Sequence, residues 1–279
     1  MVKLLVLSDL HLEYCDFVPD KDALAAADVV VLAGDMHDGI DGIAWARKTF
    51  GGKPIVYVAG NHEFHGGKWV ETLDEMRHSA KVNDVYLLEN DTVTIDGIRF
   101  LGCTLWTDFE FHGTEHKSYL MEYCQERWLD YQVISDKFSE VAITAEMTLE
   151  RHQASRAWLE AELPKGDPST TAVVTHHFPH ARSVDLKYLN DAFTAVCGSC
   201  LPEQLLLQAG LWIHGHIHSS RDYRIDGEVN GVNRYVRVAC NPRGYSHGFT
   251  RGEMENPNFN PGLLFSSLPD GNWAESYEI

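Results

Sequence analysis

His214, His216 and His218 occupy every second position of LWIHGHIHSS, the stretch from Leu211 to Ser220, directly after an apolar run. Imidazole serves as a metal ligand, a proton shuttle or a buried hydrogen-bonding group. A strand presents alternate residues to one side, so the three rings are expected to project together. Four other apolar runs also end on residues able to bind a cation. They are LSDLH (Asp9, His11), LAGDMHD (Asp35), AGNHE (Asn61, His62) and VTHHF (His176, His177). Each has an ordinary structural account on its own: Gly-Asp makes a turn, Asn-His caps a helix, and some of 15 histidines are core or surface. Five such ends, each directly behind an apolar run, point instead to one shared site. In open α/β sheets that site forms beyond the carboxyl ends of the strands, so all five are expected along one sheet edge.

The elements that position these residues follow from the apolar pattern. VKLLVLSD, VVVLAGD and PIVYVAGN read as strands, alternating with the helical stretches KDALAAAD, IDGIAWARKTF and KWVETLDEMRHSA. Unbroken apolar strands are buried on both faces, the mark of a layered α/β architecture. VYLLEND reads as a short strand, and TVTIDGIRFLGCTLW as a hairpin about its Asp-Gly turn. From Phe109 to Leu163 turn residues nearly vanish and two or three helices are expected. STTAVVTHHFP returns to a buried strand, and the helix PEQLLLQAG leads into LWIHGHIH. SRDYRIDG, NRYVRVAC and GLLFSSL complete the strands, with NPRGY directly behind the second. With no internal repeat or linker, residues 1–279 read as a single domain, with 109–163 as a helical insertion suited to act as a lid.

Composition narrows the chemistry. The chain has 279 residues, 44% hydrophobic and 23% charged, as in a globular protein that buries a full core. No apolar run approaches the roughly 20 residues that cross a bilayer. The short N-terminal run meets Asp9 without a signal-peptide cleavage pattern, so a cytoplasmic location is expected. A net charge of -18 with no basic run disfavours duplex nucleic acid, whose binding rests on clustered Lys and Arg. Cys197 and Cys200 form a Cys-x-x-Cys pair, but a structural zinc site wants a second such pair and the other four cysteines are isolated. Reduced thiols without a role are expected.

The ordered set DLH, GD, GNHE, THH and GHIH resembles the calcineurin-like metallophosphoesterase family, over residues 9 to 218. The resemblance implies a two-sheet β-sandwich flanked by helices with two metal ions at its edge. It implies that Asp9, His11 and His218 hold one ion, that Asn61, His176 and His216 hold the other, and that Asp35 bridges them. Chemistry asks for a similar mixture independently. Two cations ~3.5–4 Å apart clamp an in-line displacement and convert a shared water to hydroxide near neutral pH. Neutral imidazoles leave enough positive charge to attract a phosphate. Glycines at 34, 60 and 215 permit close backbone approach beside the ions. Mixed N/O ligands accept Mn, Fe, Zn, Co or Ni.

His214 lies one step deeper and is expected to be a satisfied histidine behind the ligands, as is His177. His37, His65 and His180 are given structural roles. His62 follows a ligand position, and the resemblance places it beside the scissile bond as a general acid. Asp38 is a candidate to orient it. Arg243 is a candidate for substrate phosphate, and Tyr245 or Tyr131 for the pocket wall. The expected activity is hydrolysis of a small phosphodiester or phosphomonoester, nucleotide-like, by a metal-bridging hydroxide. A nuclease of the family would bring basic surface. A phosphoprotein phosphatase would show GDxVDRG and RGNHE, whereas this chain has GDMHDGI and AGNHE. A non-catalytic, metal-stabilised scaffold is the rival from another class, and it would have no need of His62.

Overall fold

The computed structural model describes residues 1–136, 141–245 and 254–276. Its first half alternates strand and helix: β1 (Lys3–Leu7), α1 (Lys21–Ala26), β2 (Val29–Ala33), α2 (Asp41–Phe50), β3 (Ile55–Val58), α3 (Trp69–Val82) and β4 (Tyr86–Leu87). The hairpin β5 (Asp91–Ile95) and β6 (Ile98–Cys103) turns on Asp96 and Gly97, at φ 48° and 82°. Two positive φ values in a two-residue loop match the right-handed twist of the strands, which is why Asp-Gly sits there. Helices α4 (Lys117–Arg127), α5 (Asp130–Val133) and α6 (Ala145–Glu162) follow. Next come β7 (Thr171–Thr175), α7 (Glu203–Leu206), β8 (Leu211–His214), β9 (Arg221–Val229), β10 (Val232–Cys240), β11 (Leu264–Ser267) and β12 (Trp273–Glu275).

The strands make two mixed sheets of six, in the orders β12-β11-β1-β2-β3-β4 and β5-β6-β7-β8-β10-β9. Strands β1 to β4 are parallel in the first, as are β6, β7, β8 and β10 in the second. One layer of core lies between the sheets, where Val6, Val31 and Val58 meet Phe100, Val174 and Ile213. The alternate residues of the same strands face outward. Leu5, Leu32 and Tyr57 pack under α2 and α3, while Leu101, Val173 and Trp212 pack under α6 and α7. Double-sided burial accounts for the unbroken apolar runs.

Adjacent parallel strands need a crossover, and between β6 and β7 it is long enough to hold α4, α5 and α6. Of the 109–163 stretch, residues 137–140 lie outside those described. Thr144 caps α6 by accepting from the amide of Met147. At the carboxyl end of β10 the chain bridges to the end of β1: Ser8 N donates to Asn241 O and Arg243 N to Ser8 O. The two sheets are thereby tied together where the shared direction of the parallel strands gathers the chemistry-bearing ends. Among the described residues no helix is long and apolar enough to cross a membrane.

Candidate metal centre

Five loops converge there, following β1, β2 and β3 of one sheet and β7 and β8 of the other. The expectation of a single sheet edge is thus corrected to a shared edge of two sheets. The alternation argument for the three histidines is corrected as well. Strand β8 ends at His214, and His216 and His218 lie beyond it with φ of 71° and 42°. Asp9, His11 and Asp35 adopt the same left-handed region, at 50°, 45° and 56°. That region costs an L-residue roughly 1–2 kcal/mol, and such strain persists where surrounding structure imposes it. Here backbone bonds impose it: Asp9 N donates to Gly34 O, His11 N to Asp35 O, and His216 N to Asp9 Oδ1.

Two donor clusters result. In the first, His11 Nε2 is 3.0 Å from His218 Nε2, which is 3.5 Å from Asp9 Oδ1. In the second, His176 Nε2 is 3.1 Å from both Asn61 Oδ1 and His216 Nδ1. Asp35 Oδ2 joins them, 3.2 Å from His176 Nε2 and 3.9 Å from His11 Nε2. The outer nitrogens are already committed. His11 Nδ1 meets Glu13 Oε1 at 3.0 Å, His218 Nδ1 meets Glu255 Oε2 at 2.6 Å, and His176 Nδ1 meets Ala33 O at 2.9 Å. Donation through Nδ1 leaves the Nε2 lone pair facing inward, the usual arrangement behind a metal-bound imidazole.

The donor set fits a pair of divalent cations. Metal bonds of about 2.0–2.2 Å to N and O give polyhedron edges of roughly 3–3.5 Å, the spacing found within each cluster. Asp9 Oδ2 is buried without a hydrogen-bond partner, an orphan that a cation satisfies. A Cβ at Gly60 would collide with Asp35 Oδ1, and one at Gly215 would lie 2.6 Å from Asp9 Oδ2. Charge tells the same story. Burial opposes ionisation of Asp35, yet the imidazoles of His176 and His62 hold its carboxyl well below the usual range. Burial likewise opposes a charged His176 or His218, but Asp35 lifts the first to about 9, and Asp9 with Glu255 lifts the second to about 10. The carboxylates at this centre demand positive charge.

Around this core the remaining candidates separate. His62 Nδ1 faces Glu13 Oε1 at 3.3 Å and Asp38 Oδ1 at 3.7 Å, while its Nε2 meets Tyr245 OH at 3.0 Å. Burial disfavours its charge, but Asp35, Asp38 and Glu13 outweigh that and raise its pKa. Carboxylates of His11–Glu13–His62 and Asp38–His62–His65 also approach the rings closely enough to hold an ion. In the first of these groups Glu13 Oε1 takes the Nδ1 atoms of both His11 and His62, on the outer side of the His11 ring. Asp38 is half exposed; Glu13, which the sequence reading passed over, is nearer and more enclosed.

His214 is buried and satisfied, accepting from Ser183 Oγ at 2.8 Å and donating to Gly215 O at 3.0 Å; burial pushes it down to about 4. His177 donates to Thr104 O and lies beside the His216 ring, where burial and then His176 push it down to about 3. His37 bonds its neighbour's carbonyl and His180 pairs with Glu203. His65 is drawn in against His62, with ring centroids 4.1 Å apart. All six cysteines are free thiols, and burial raises the pKa of Cys197 and Cys200, the latter to about 11.

Two expectations are corrected. Arg243 is buried, and its guanidinium donates to the carbonyls of Leu10, Cys15 and Asp16. It is committed to the loop after β1, not to a substrate phosphate, because a buried cation takes the nearest carbonyls as its solvent. Tyr131 is also buried, bonded to Thr148 Oγ1 at 2.9 Å, and forms no part of the pocket. Tyr245 does line it.

Two further carboxylates, Glu63 and Asp130, take their positions at the site from the fold. Glu63 accepts from the amides of Asp35, Met36 and Gly60 and from Tyr57 OH, locking the β2 and β3 loops together. Burial, with the Asp35 charge behind it, pushes Glu63 up to about 7. Asp130, at the start of α5, accepts from Asn61 Nδ2 at 2.9 Å, His65 Nε2 at 2.8 Å and Trp128 Nε1 at 3.0 Å. By taking the amide nitrogen of Asn61 it turns the amide oxygen toward His176. Glu63 was visible in the sequence within AGNHE. Asp130 carried no signal, since Asn61 and His65, which give it its role, lie 69 and 65 residues away along the chain.

The sequence model of the calcineurin-like phosphoesterase family matches residues 2–220. The chain belongs to that family. It is similar to uncharacterized protein L509 of Acanthamoeba polyphaga mimivirus, 27% identical over 91% of this chain and 93% of the viral one. Among solved structures its fold is similar to that of the phosphopantetheinyl hydrolase PptH from Mycobacterium tuberculosis. That pair has a TM-score of 0.62 at 20% identity, covering 87% of this chain and 89% of the other.

Proposed function

We propose that this chain is a dinuclear metal-dependent phosphoesterase acting on a small phosphate ester. The observation that carries the reading is the joining of the two N/O clusters by the single carboxylate of Asp35. Asp9, His11 and His218 would hold one cation and Asn61, His176 and His216 the other. Two such ions supply Lewis acidity toward phosphoryl oxygens and water activation near neutral pH. The chain's own residues do the rest. Glu13, Glu255 and the Ala33 carbonyl fix the imidazoles, and Asp130 fixes Asn61. His62, whose Nδ1 faces the carboxylates of Glu13 and Asp38, stands beside the first cluster with its ring 4.4 Å from that of His11. From there it protonates the leaving oxygen and stabilises developing phosphoryl charge.

A small substrate is favoured over a polymer by the strongly acidic composition. Another protein of this fold bears the name phosphopantetheinyl hydrolase, and a small organic phosphoester is the class inferred here. The test is metal content together with turnover. Protein freed of chelator and incubated with manganese is expected to bind about two ions per chain and to hydrolyse bis-p-nitrophenyl phosphate. Asp35→Asn is expected to lower occupancy of both sites and abolish turnover. Wild-type protein that stays metal-free after this treatment would overturn the reading.

A further inference from the structure

Two dissimilar hollows adjoin beside the candidate metal centre, the larger reaching both clusters and the smaller meeting them at His218. The larger, about 550 Å³, reaches from Asp35 and Asn61 past Trp128 to Phe178, Val184 and Phe193. Trp128 and Phe193 are in ring contact, with centroids 5.4 Å apart, and Trp128 also stands 6.2 Å from His216. One apolar wall thus begins at the second cluster and runs outward. Among the described residues Arg127 is the one arginine or lysine on this cavity and is committed to the Tyr123 carbonyl and Glu126, and beyond the histidines of the metal centre Asp185 and Asp191 border it. An arm bearing further phosphates meets carboxylates there; an uncharged apolar arm meets aromatic surface.

The smaller hollow, about 230 Å³, is of opposite character. Ser219, Ser220, Asn256, Asn258 and Lys187 line it, with Arg221 held by Asp185 and the Ser183 carbonyl. Asn256 and Ser220 are bonded to each other and to the carbonyls of Pro242 and Asn258, so this wall is a fixed polar surface, which suits a short polar arm better than an apolar one.

A phosphomonoester has one arm and would leave one hollow unused. Building on the phosphoesterase reading, we infer that the substrate is a mixed phosphodiester, with one uncharged apolar arm against Trp128 and Phe193 and one short hydroxylated arm between Lys187 and Ser220. The two hollows adjoin along a rim that includes Tyr188, Ile217 and His218, so a phosphate held by the metal centre can send one arm into each; water cleaves the bond to one arm while the other arm stays on the phosphate.

Three esters test this: phenyl phosphate, phenyl glyceryl phosphate and bis-glyceryl phosphate. The manganese-loaded protein is expected to favour phenyl glyceryl phosphate by at least roughly tenfold in kcat/KM over each of the others, the scale on which pockets discriminate arms. Phe193→Ala is expected to raise KM on the two phenyl esters more than on the bis-glyceryl ester. Lys187→Ala is expected to raise it on the two glyceryl esters more than on phenyl phosphate. Calorimetric binding of the non-hydrolysable methylenephosphonate analogues, which needs no turnover, is expected to follow the same order. Phenyl phosphate turned over as well as the mixed diester, its analogue bound as tightly, or variants that shift all three esters alike would overturn the inference. Ordered binding of the analogues without hydrolysis of any ester would instead strike at the phosphoesterase reading and leave the two-arm assignment standing.

Discussion

His62 and Asn61 are neighbours in the chain with separate tasks, because a tight turn sends one side chain to His176 and the other toward Glu13 and Tyr245. The split makes a test at the residue scale. His62→Asn is expected to retain both ions, since the amide of Asn61 and not the imidazole of His62 faces the second cluster. General acid assistance is worth typically 10²–10⁴-fold and matters most when the leaving oxygen is strongly basic. A p-nitrophenolate departs without much protonation; an alkoxide does not. The variant should therefore lose far more rate on alkyl esters than on p-nitrophenyl esters at matched metal content. Asp38→Asn should show the pattern more weakly, its carboxylate being more distant than that of Glu13. An unchanged ratio of the two rates would remove the acid role from His62.

At the scale of elements, the segment from α4 to α5 does more than cover the site. Asp130 ties it to Asn61 in the β3 loop, to His65 behind His62, and to Trp128 in the cavity wall. Removing one acceptor from buried donors costs about 1–3 kcal/mol, and changes behind a metal ligand lower metal affinity about 10–100-fold. Asp130→Asn keeps the volume but sets a second amide against the Asn61 amide. It is expected to weaken manganese binding at one of the two sites within that range, while Trp128→Phe leaves both sites intact. Metal titration of the folded variants checks it, with circular dichroism to establish folding. Affinity equal to wild type at both sites would separate α5 from the metal centre. The segment 178–202 supplies the facing wall through Phe178, Val184 and Phe193, in short turns that carry no helical or strand period.

Across the whole molecule the dominant feature is charge, -18 overall, with two donor clusters that could hold cations. Such a surface repels long polyanions. Apparent KM for a small ester is expected to change little between low and physiological ionic strength. Binding to duplex DNA would instead fall steeply with salt, the logarithmic slope scaling with the number of phosphates contacted. Tight, salt-sensitive association with DNA, measured by anisotropy on the manganese-loaded protein, would displace the small-ester assignment.

The layered architecture, and which residues the fold gathers into the two donor clusters, were legible in the sequence because both are written locally. A strand buried on two faces must be apolar throughout, and a ligand loop must follow it at once, so DLH, GD, GNHE, THH and GHIH mark their own positions. Direction was not legible. Alternation along β8 placed the three histidines on one side, but the strand stops at His214, and left-handed turns carry His216 and His218 to different clusters. Those turns are held by Asp9, about two hundred residues earlier in the chain. The same limit explains the rest. Asp130, Glu13 and Trp128 acquire their roles from partners brought near only by folding, and Arg243 and Tyr131 lose theirs to carbonyls and a hydroxyl that no local pattern announces. Residue type and order determined what chemistry is possible; long-range hydrogen bonds and packing decided which side chains face it.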